Sequence, residues 1–355
     1  MKEELEKFIA MSNYAGERYD LIQAGGGNTS VKLDNGEMII KASGFLLSEV
    51  DENTGYALVD NAKILNIIED PKIINITNKR LRDQKGAEAV NNAKTVKGPR
   101  PSIETYLHAI LCKYTLHVHA IAVNMLTSVK NWKLLLENIA PDILFVNYET
   151  PGIDLAIEMK KEITLYENRC NCKPSIICLQ NHGLIITSDD FESIQELTEN
   201  FISKVEIFLK IDFSRYKITN FLSKEINKYS KEVLTTYLSE DEYINNVLKT
   251  AKELFFKKPF CPDGYVFCGY KALEYKGSNS ILEYINEYKQ LPKLIVFNSF
   301  LYIVSKDLKK AKMIEDVCKN NLMILQETKE DIVFLDNSEI SYLGNWEAEK
   351  YRQNL

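Results

Sequence analysis

Two apolar runs, SIICLQ (175–180) and LIITS (184–188), are separated only by Asn181, His182 and Gly183. Three residues cannot carry a crossover, so the runs must pair as antiparallel strands about a tight turn, with a histidine at its tip. A second hairpin is expected upstream, where VK and EMIIK flank Asp34-Asn35-Gly36. Between them PSIETYLHAILCKY has apolar residues at helical spacing behind Pro101, and LHVHAIAVN follows as a strand. Further helices are expected at the N-terminus, around Asn131 to Ile139 and from near Asp190. Residues 78–100 are polar and aperiodic and read as a helix fragment with a mobile loop. The pattern is α/β, built of hairpins and helices, without the strict β-α-β alternation of a doubly wound nucleotide fold.

With 355 residues the chain exceeds what one core usually holds, so two domains are expected. The division read from the sequence is a catalytic domain over 1–216, a Lys- and Glu-rich helical bridge over 217–258, and a smaller α/β domain over 259–355. In the last of these, KLIVFNSFLYIVSKDLKKAKMIEDVCKNN lies without a gap over SIICLQNHGLIITSDDFESIQELTENFIS, with Phe300 where His182 sits. The C-terminal domain therefore reads either as a degenerate repeat without its metal ligand or as a chance likeness of two β-turn-β-α stretches.

The net charge of −6 and the absence of a Lys/Arg stripe with interleaved aromatics argue against a nucleic-acid partner. The opening MKEELEKFIAMSNYAGERYD reads as an acidic amphipathic helix rather than a signal peptide, and no window approaches a membrane span. Seven scattered cysteines, an odd number without a repeated CxxC, fit a reducing, cytoplasmic location.

The chain has four histidines, and His117, His119 and His182 fall at strand ends or turns. Side chains alternate along a strand, so His117 and His119 share a face and can grip one divalent ion, to which the 181–183 turn can bring His182. Taken alone, each histidine reads better as a hydrogen-bonded or partly buried residue with no ligand role; it is the three together that point to a metal. Glu104 stands four residues before His108 on the expected helix and can serve as general acid/base beside a metal; His108 either orients it or packs. The glycines of GGGNTS form neither GxGxxG nor a P-loop, so no nucleotide cofactor is expected. That turn, through Asn28, Thr29 and Ser30, and the later Ser43-Gly44 offer donors to an anion or are two ordinary turns.

Taken in order, GGGNTS, IIKASG, PSIETYLH, HVHA, YETPGIDLA and QNHGLIIT resemble the successive motifs of the class II aldolase/adducin family. RPSIETYLHAILCKY, PDGYVF and WEAEKYR are most similar to the rhamnulose-1-phosphate aldolase part of long bifunctional aldolase/dehydrogenase proteins. The resemblance implies a three-layer α/β/α sandwich around a mainly antiparallel sheet, Zn²⁺ or another divalent metal on His117, His119 and His182, and Glu104 as acid/base. It also implies a substrate phosphate among Gly27, Asn28, Ser43, Gly44 and Ser102, and a homo-oligomer in which a tyrosine, here Tyr148, protonates the aldehyde oxygen across a subunit boundary. The implied reaction is retro-aldol cleavage, or aldol formation, of a ketose phosphate or related sugar through a metal-stabilised enediolate.

One position departs from the family pattern. Ile103 stands where shorter sugar-phosphate aldolases often have a second serine, and Lys41 and Arg100 lie beside the same motifs as possible sources of charge. Pentulose-phosphate 4-epimerases and sugar-acid phosphate decarboxylases share these motifs and are the alternative enzymes. A non-catalytic adducin-like binding module is the alternative without chemistry.

Overall fold

The computed structural model describes residues 1–345, so WEAEKYR lies outside the described residues. Contacts divide the chain into two units, Met1–Phe213 and Ser214–Leu355.

In the first unit, strands β1 (Asn28–Lys32), β2 (Glu37–Lys41), β3 (Tyr56–Asp60), β4 (Tyr114–Val118), β5 (Ile143–Val146), β6 (Ile176–Leu179) and β7 (Gly183–Ser188) form one sheet. Their order is β3-β2-β1-β4-β7-β6-β5. Every neighbouring pair is antiparallel except β5 and β6. Both expected hairpins are present. The first turns at Gly36 (φ 85°), and the second pairs Leu179 with Gly183 across the histidine turn.

Alternation along the strands divides the core between the two faces of the sheet. Ile39, Leu116, Val118, Leu184 and Ile186 join one buried cluster with the helices Lys2–Gly16 and Glu192–Leu209. Met38, Ile40, Ile177 and Ile185 join a second with the helices Thr105–Ala109 and Ile153–Cys170. Covering both faces leaves β4 buried at every position, its polar Thr115 and His117 included. It also puts His117 on the face opposite Leu116 and Val118. Residues 78–100 are more ordered than expected, because Asn78 caps a helix over Lys79–Asn92 and Lys94 bridges to Val59 of β3.

The end of the first helix is tied down by a buried ion network. Arg18, 1% exposed, donates to both carboxylate oxygens of Asp20 at 3.0 and 2.5 Å and also pairs with Glu199. The Asp20 carbonyl in turn accepts from Ile121 N at 2.9 Å, immediately after the HVHA segment.

The second unit has its own sheet of β8 (Thr235–Leu238), β9 (Leu273–Glu274), β10 (Leu294–Phe297) and β11 (Phe300–Ser305), in the order β8-β11-β10-β9. The stretch read as a helical bridge thus contains a strand. Thr235 and Thr236 of β8 are buried against β11, a pairing that its Lys- and Glu-rich flanks hide. The helix Ser214–Asn227 also belongs to this unit, so the division falls at 213/214 rather than 216/217.

Strand senses in this sheet match those of β4-β7-β6-β5: two antiparallel pairs and then a parallel one, with a helix before β10 and another after β11. The gapless overlay fails at the turn. Phe297 pairs with Phe300 around only Asn298 and Ser299, both at positive φ (48° and 64°), a two-residue turn where the first unit has three. Phe300 therefore matches Gly183, and the position of His182 is missing.

Replacing Arg18 by Met strands Asp20 in the core. A loss of about 3–5 kcal/mol is expected in urea unfolding, the usual cost of breaking a buried pair, against no measurable change for Lys2→Ala at the surface.

Candidate metal centre and substrate pocket

The pairing of β4 with β7 sets His117 opposite Ile185. The turn before β7 then carries His182 to the same spot, with its Nε2 3.3 Å from His117 Nε2. Glu104 Oε1 lies 3.1 Å from His182 Nε2 and 3.4 Å from His117 Nε2. His119 completes the group, and one donor atom from each of the four residues falls within 4.8 Å of all the others. This is the only such grouping of His, Cys, Asp and Glu among the described residues. Cys170 and Cys172 are exposed free thiols and take no part in it.

The donor set suits a divalent cation. His117 Nδ1 donates to the Leu184 carbonyl at 3.1 Å, which leaves its Nε2 lone pair facing the cluster. His119 Nε2 is buried without a hydrogen-bond partner. Burial, then the neighbouring imidazoles, push His119 down to about 4, so it is neutral, as a metal ligand must be. Burial alone would raise the Glu104 carboxyl, but His117 and His182 outweigh it and hold it well below the usual carboxylate range. Glu104 correspondingly draws the His117 imidazole upward against its own burial. Three imidazoles match a zinc-type site with an open position, and the Glu104 carboxylate stands beside it.

Glu104 is positioned differently from the expectation. It stands at the N-cap of the short helix Thr105–Ala109 instead of sharing a helical face with His108. His108 turns away, its Nδ1 2.7 Å from Ser30 Oγ, and burial lowers it to about 3. Asn28 does the orienting, its Nδ2 donating to Glu104 Oε2 at 2.9 Å and to Ser102 Oγ at 2.6 Å. Lys32 holds the far end of that helix from β1 by donating to the carbonyls of Ala109 (2.8 Å) and Leu111.

Beside the cluster is a cavity of about 310 Å³ lined by Gly27, Asn28, Ser43, Gly44, Ser102 and Glu104, together with His119, Lys41, Arg100 and Ile103. Thr29 does not belong to it. As the next residue on β1 it points to the opposite face, where its hydroxyl lies 2.6 Å from Ser12 Oγ. Lys41 is 3% exposed and has one weak contact, 3.5 Å to the Gly25 carbonyl; burial lowers its pKa although Glu104 and Glu49 oppose the shift. Tyr148 is 53% exposed and does not line this cavity.

Two glycines essential to the geometry were not singled out by motif reading. A Cβ at Gly183 would lie 2.5 Å from the Val118 carbonyl and 3.0 Å from the His117 ring, and one at Gly26 would lie 2.7 Å from His119 Nδ1. Their adjacency to the histidines and to the GGG turn was the available signal.

Residues 6–209 match the family described as Class II Aldolase and Adducin N-terminal domain. This is more than half of the sequence, and the chain belongs to that family. Among curated proteins it is 24% identical over 226 residues to "Uncharacterized oxidoreductase YuxG" of Bacillus subtilis (strain 168), covering 60% of this chain but only 31% of that relative. Among solved structures, the N-terminal class II aldolase domain of a conserved Thermoplasma acidophilum protein is 25% identical (TM-score 0.49), covering 59% of this chain and 95% of that one. The l-fuculose-1-phosphate aldolase of Thermus thermophilus is 15% identical (TM-score 0.39), covering 59% and 95%.

Two outcomes follow. Gly183→Ala is expected to weaken metal binding by about tenfold or more, as disturbed ligand support does, while Gly98→Ala, where nothing lies near the added carbon, leaves it unchanged; competitive chelator titration reads both. Lys32 is held down to about 8 by burial, against its usual 10.5. Between pH 8 and 10.5 the unfolded chain binds more protons at this site than the folded one, so wild-type stability relative to Lys32→Met should rise across that range, as followed by denaturant midpoints.

Proposed function

We propose that the chain is a divalent-metal-dependent carbon–carbon lyase acting on a ketose phosphate or closely related anionic sugar. The observation that carries this reading is the meeting, at one cavity wall, of the His117/His119/His182/Glu104 group with two cationic side chains, Lys41 and Arg100. A buried lysine without a close acceptor is costly unless a ligand supplies the charge, and a phosphate or carboxylate on the substrate does so. Gly27, Ser43, Gly44 and Ser102 offer backbone and hydroxyl groups around the same anion, and Ile103 contributes an apolar edge in place of a donor.

A cation held by His117, His119 and His182 would supply Lewis acidity to the carbonyl of a hydroxy-ketone. Glu104 works as the proton carrier. In the aldol-forming direction its carboxylate removes the proton from the carbon beside the carbonyl, and in cleavage the protonated acid returns it. Asn28 keeps that carboxylate aimed by holding Oε2. Tyr148, exposed on this subunit, is suited to a role at a neighbouring subunit's site, in keeping with a homo-oligomeric enzyme. No helix among the described residues is long and apolar enough to cross a membrane, and we assign the enzyme to the cytoplasm.

The second unit, on this reading, is a copy of the β4-β7-β6-β5 half of the first with its metal chemistry lost. Counting from the strand pairs, Leu238 takes the place of His117 and Glu240 that of His119, and the shortened turn has no residue for His182.

Incubation with ketose phosphates should yield a triose product and an aldehyde. Glu104→Gln is expected to lower kcat by about 10²–10⁴-fold, the usual worth of a general acid/base. A new epimer of unchanged carbon count would make the enzyme an epimerase, loss of carbon dioxide from a sugar-acid phosphate supplied in parallel a decarboxylase, and inertness towards all of these substrates a binding module.

A further inference from the structure

The second unit contains a cavity of about 1110 Å³ near the Lys306 end of β11, away from the Phe300 end that matches the histidine turn. Its lining is rich in donors and cations. Lys289, Lys293, Lys306 and Lys310 face two carboxylates, Glu232 and Glu287. Glu287 is already engaged by the Tyr288 hydroxyl. Among the described residues, Lys289 and Lys293 contact backbone carbonyls only, those of Asn286 (2.6 Å) and Val266, and no ion pair joins Lys289, Lys293 or Lys306 to an acid. Gln290 Nε2 is buried and has no acceptor. Lys310 is 9% exposed at the first turn of the long helix Leu308–Glu327.

Unanswered donors and desolvated like charges raise the energy of the free protein, and both are relieved by a ligand bearing several acceptor oxygens. Burial, with repulsion from Lys310 in the same direction, holds Lys293 at about 8, as a site waiting for an anion would. The stacked rings of Tyr270 and Tyr288, 4.4 Å between centroids, lie on the same lining and provide an aromatic surface for a flat group. The volume exceeds what a single inorganic anion fills and lies just above the roughly 300–1,000 Å³ of small-molecule pockets.

We propose that the second unit carries a non-catalytic site for a phosphorylated metabolite of nucleotide size, its phosphate held by Lys293, Lys306, Lys310 and Gln290. The test is titration calorimetry of the full chain with AMP, repeated in the presence of inorganic phosphate. Saturable AMP binding is expected, competed by phosphate. It should weaken by about tenfold or more in Lys306→Glu and in the isosteric Gln290→Glu, the scale of losing a charge-assisted contact. Lys306 is exposed, so its variant tests the site without threatening the fold. Lys41→Met, in the first unit, should leave AMP binding unchanged. No AMP binding at millimolar ligand, or binding that is equal in the wild type and both charge-reversed variants, would overturn the proposal.

Discussion

The close approach of the 181–183 turn to the end of β4 is the contact on which the candidate site depends. Strand pairing brings the two segments side by side, but the approach is possible only because Gly183 has no side chain to meet the Val118 carbonyl and the His117 ring. Once it is made, His182 and His117 are 3.3 Å apart, and Glu104 closes the group from the neighbouring short helix. A single added carbon at the turn opposes that whole arrangement.

Such crowding of basic nitrogens has an electrostatic consequence. Three imidazoles in a desolvated space repel one another's protons, and the single carboxylate there balances only one positive charge. The cluster is thus poised for one cation or one shared proton, and binding a metal must displace the latter. The adjacent pocket has the opposite need. Lys41 and Arg100 line it with positive charge, and the carboxylate nearest to them is already committed to the imidazoles and to Asn28.

Much of this was legible in the residues. The period-two spacing of His117 and His119 sets both on one face, and the three-residue gap before LIITS forces a hairpin, so the meeting of the three histidines could be anticipated before the sheet was known. The resemblance of six ordered motifs to class II aldolases added the fold. What escaped notice depends on contacts distant in sequence. Whether Asn28 or Thr29 faced the pocket turned on the register of β1 against β4, and a shift of one residue exchanges them. That Asn28, rather than His108, holds Glu104 depends on a contact across 76 residues. Strand β8 was hidden because the Lys- and Glu-rich segments around its four residues read as helix until β11 is there to pair with it, and the shorter turn after β10 left no trace in a gapless overlay.

Metal content per chain, measured by elemental analysis on wild type and on a His117→Ala, His119→Ala variant, tests the central claim most directly. The account predicts close to one zinc or similar divalent ion per wild-type chain and none in the variant, with no metal held by the second unit. A folded wild type that cannot be loaded with any divalent metal, or a variant that keeps its ion, would contradict it.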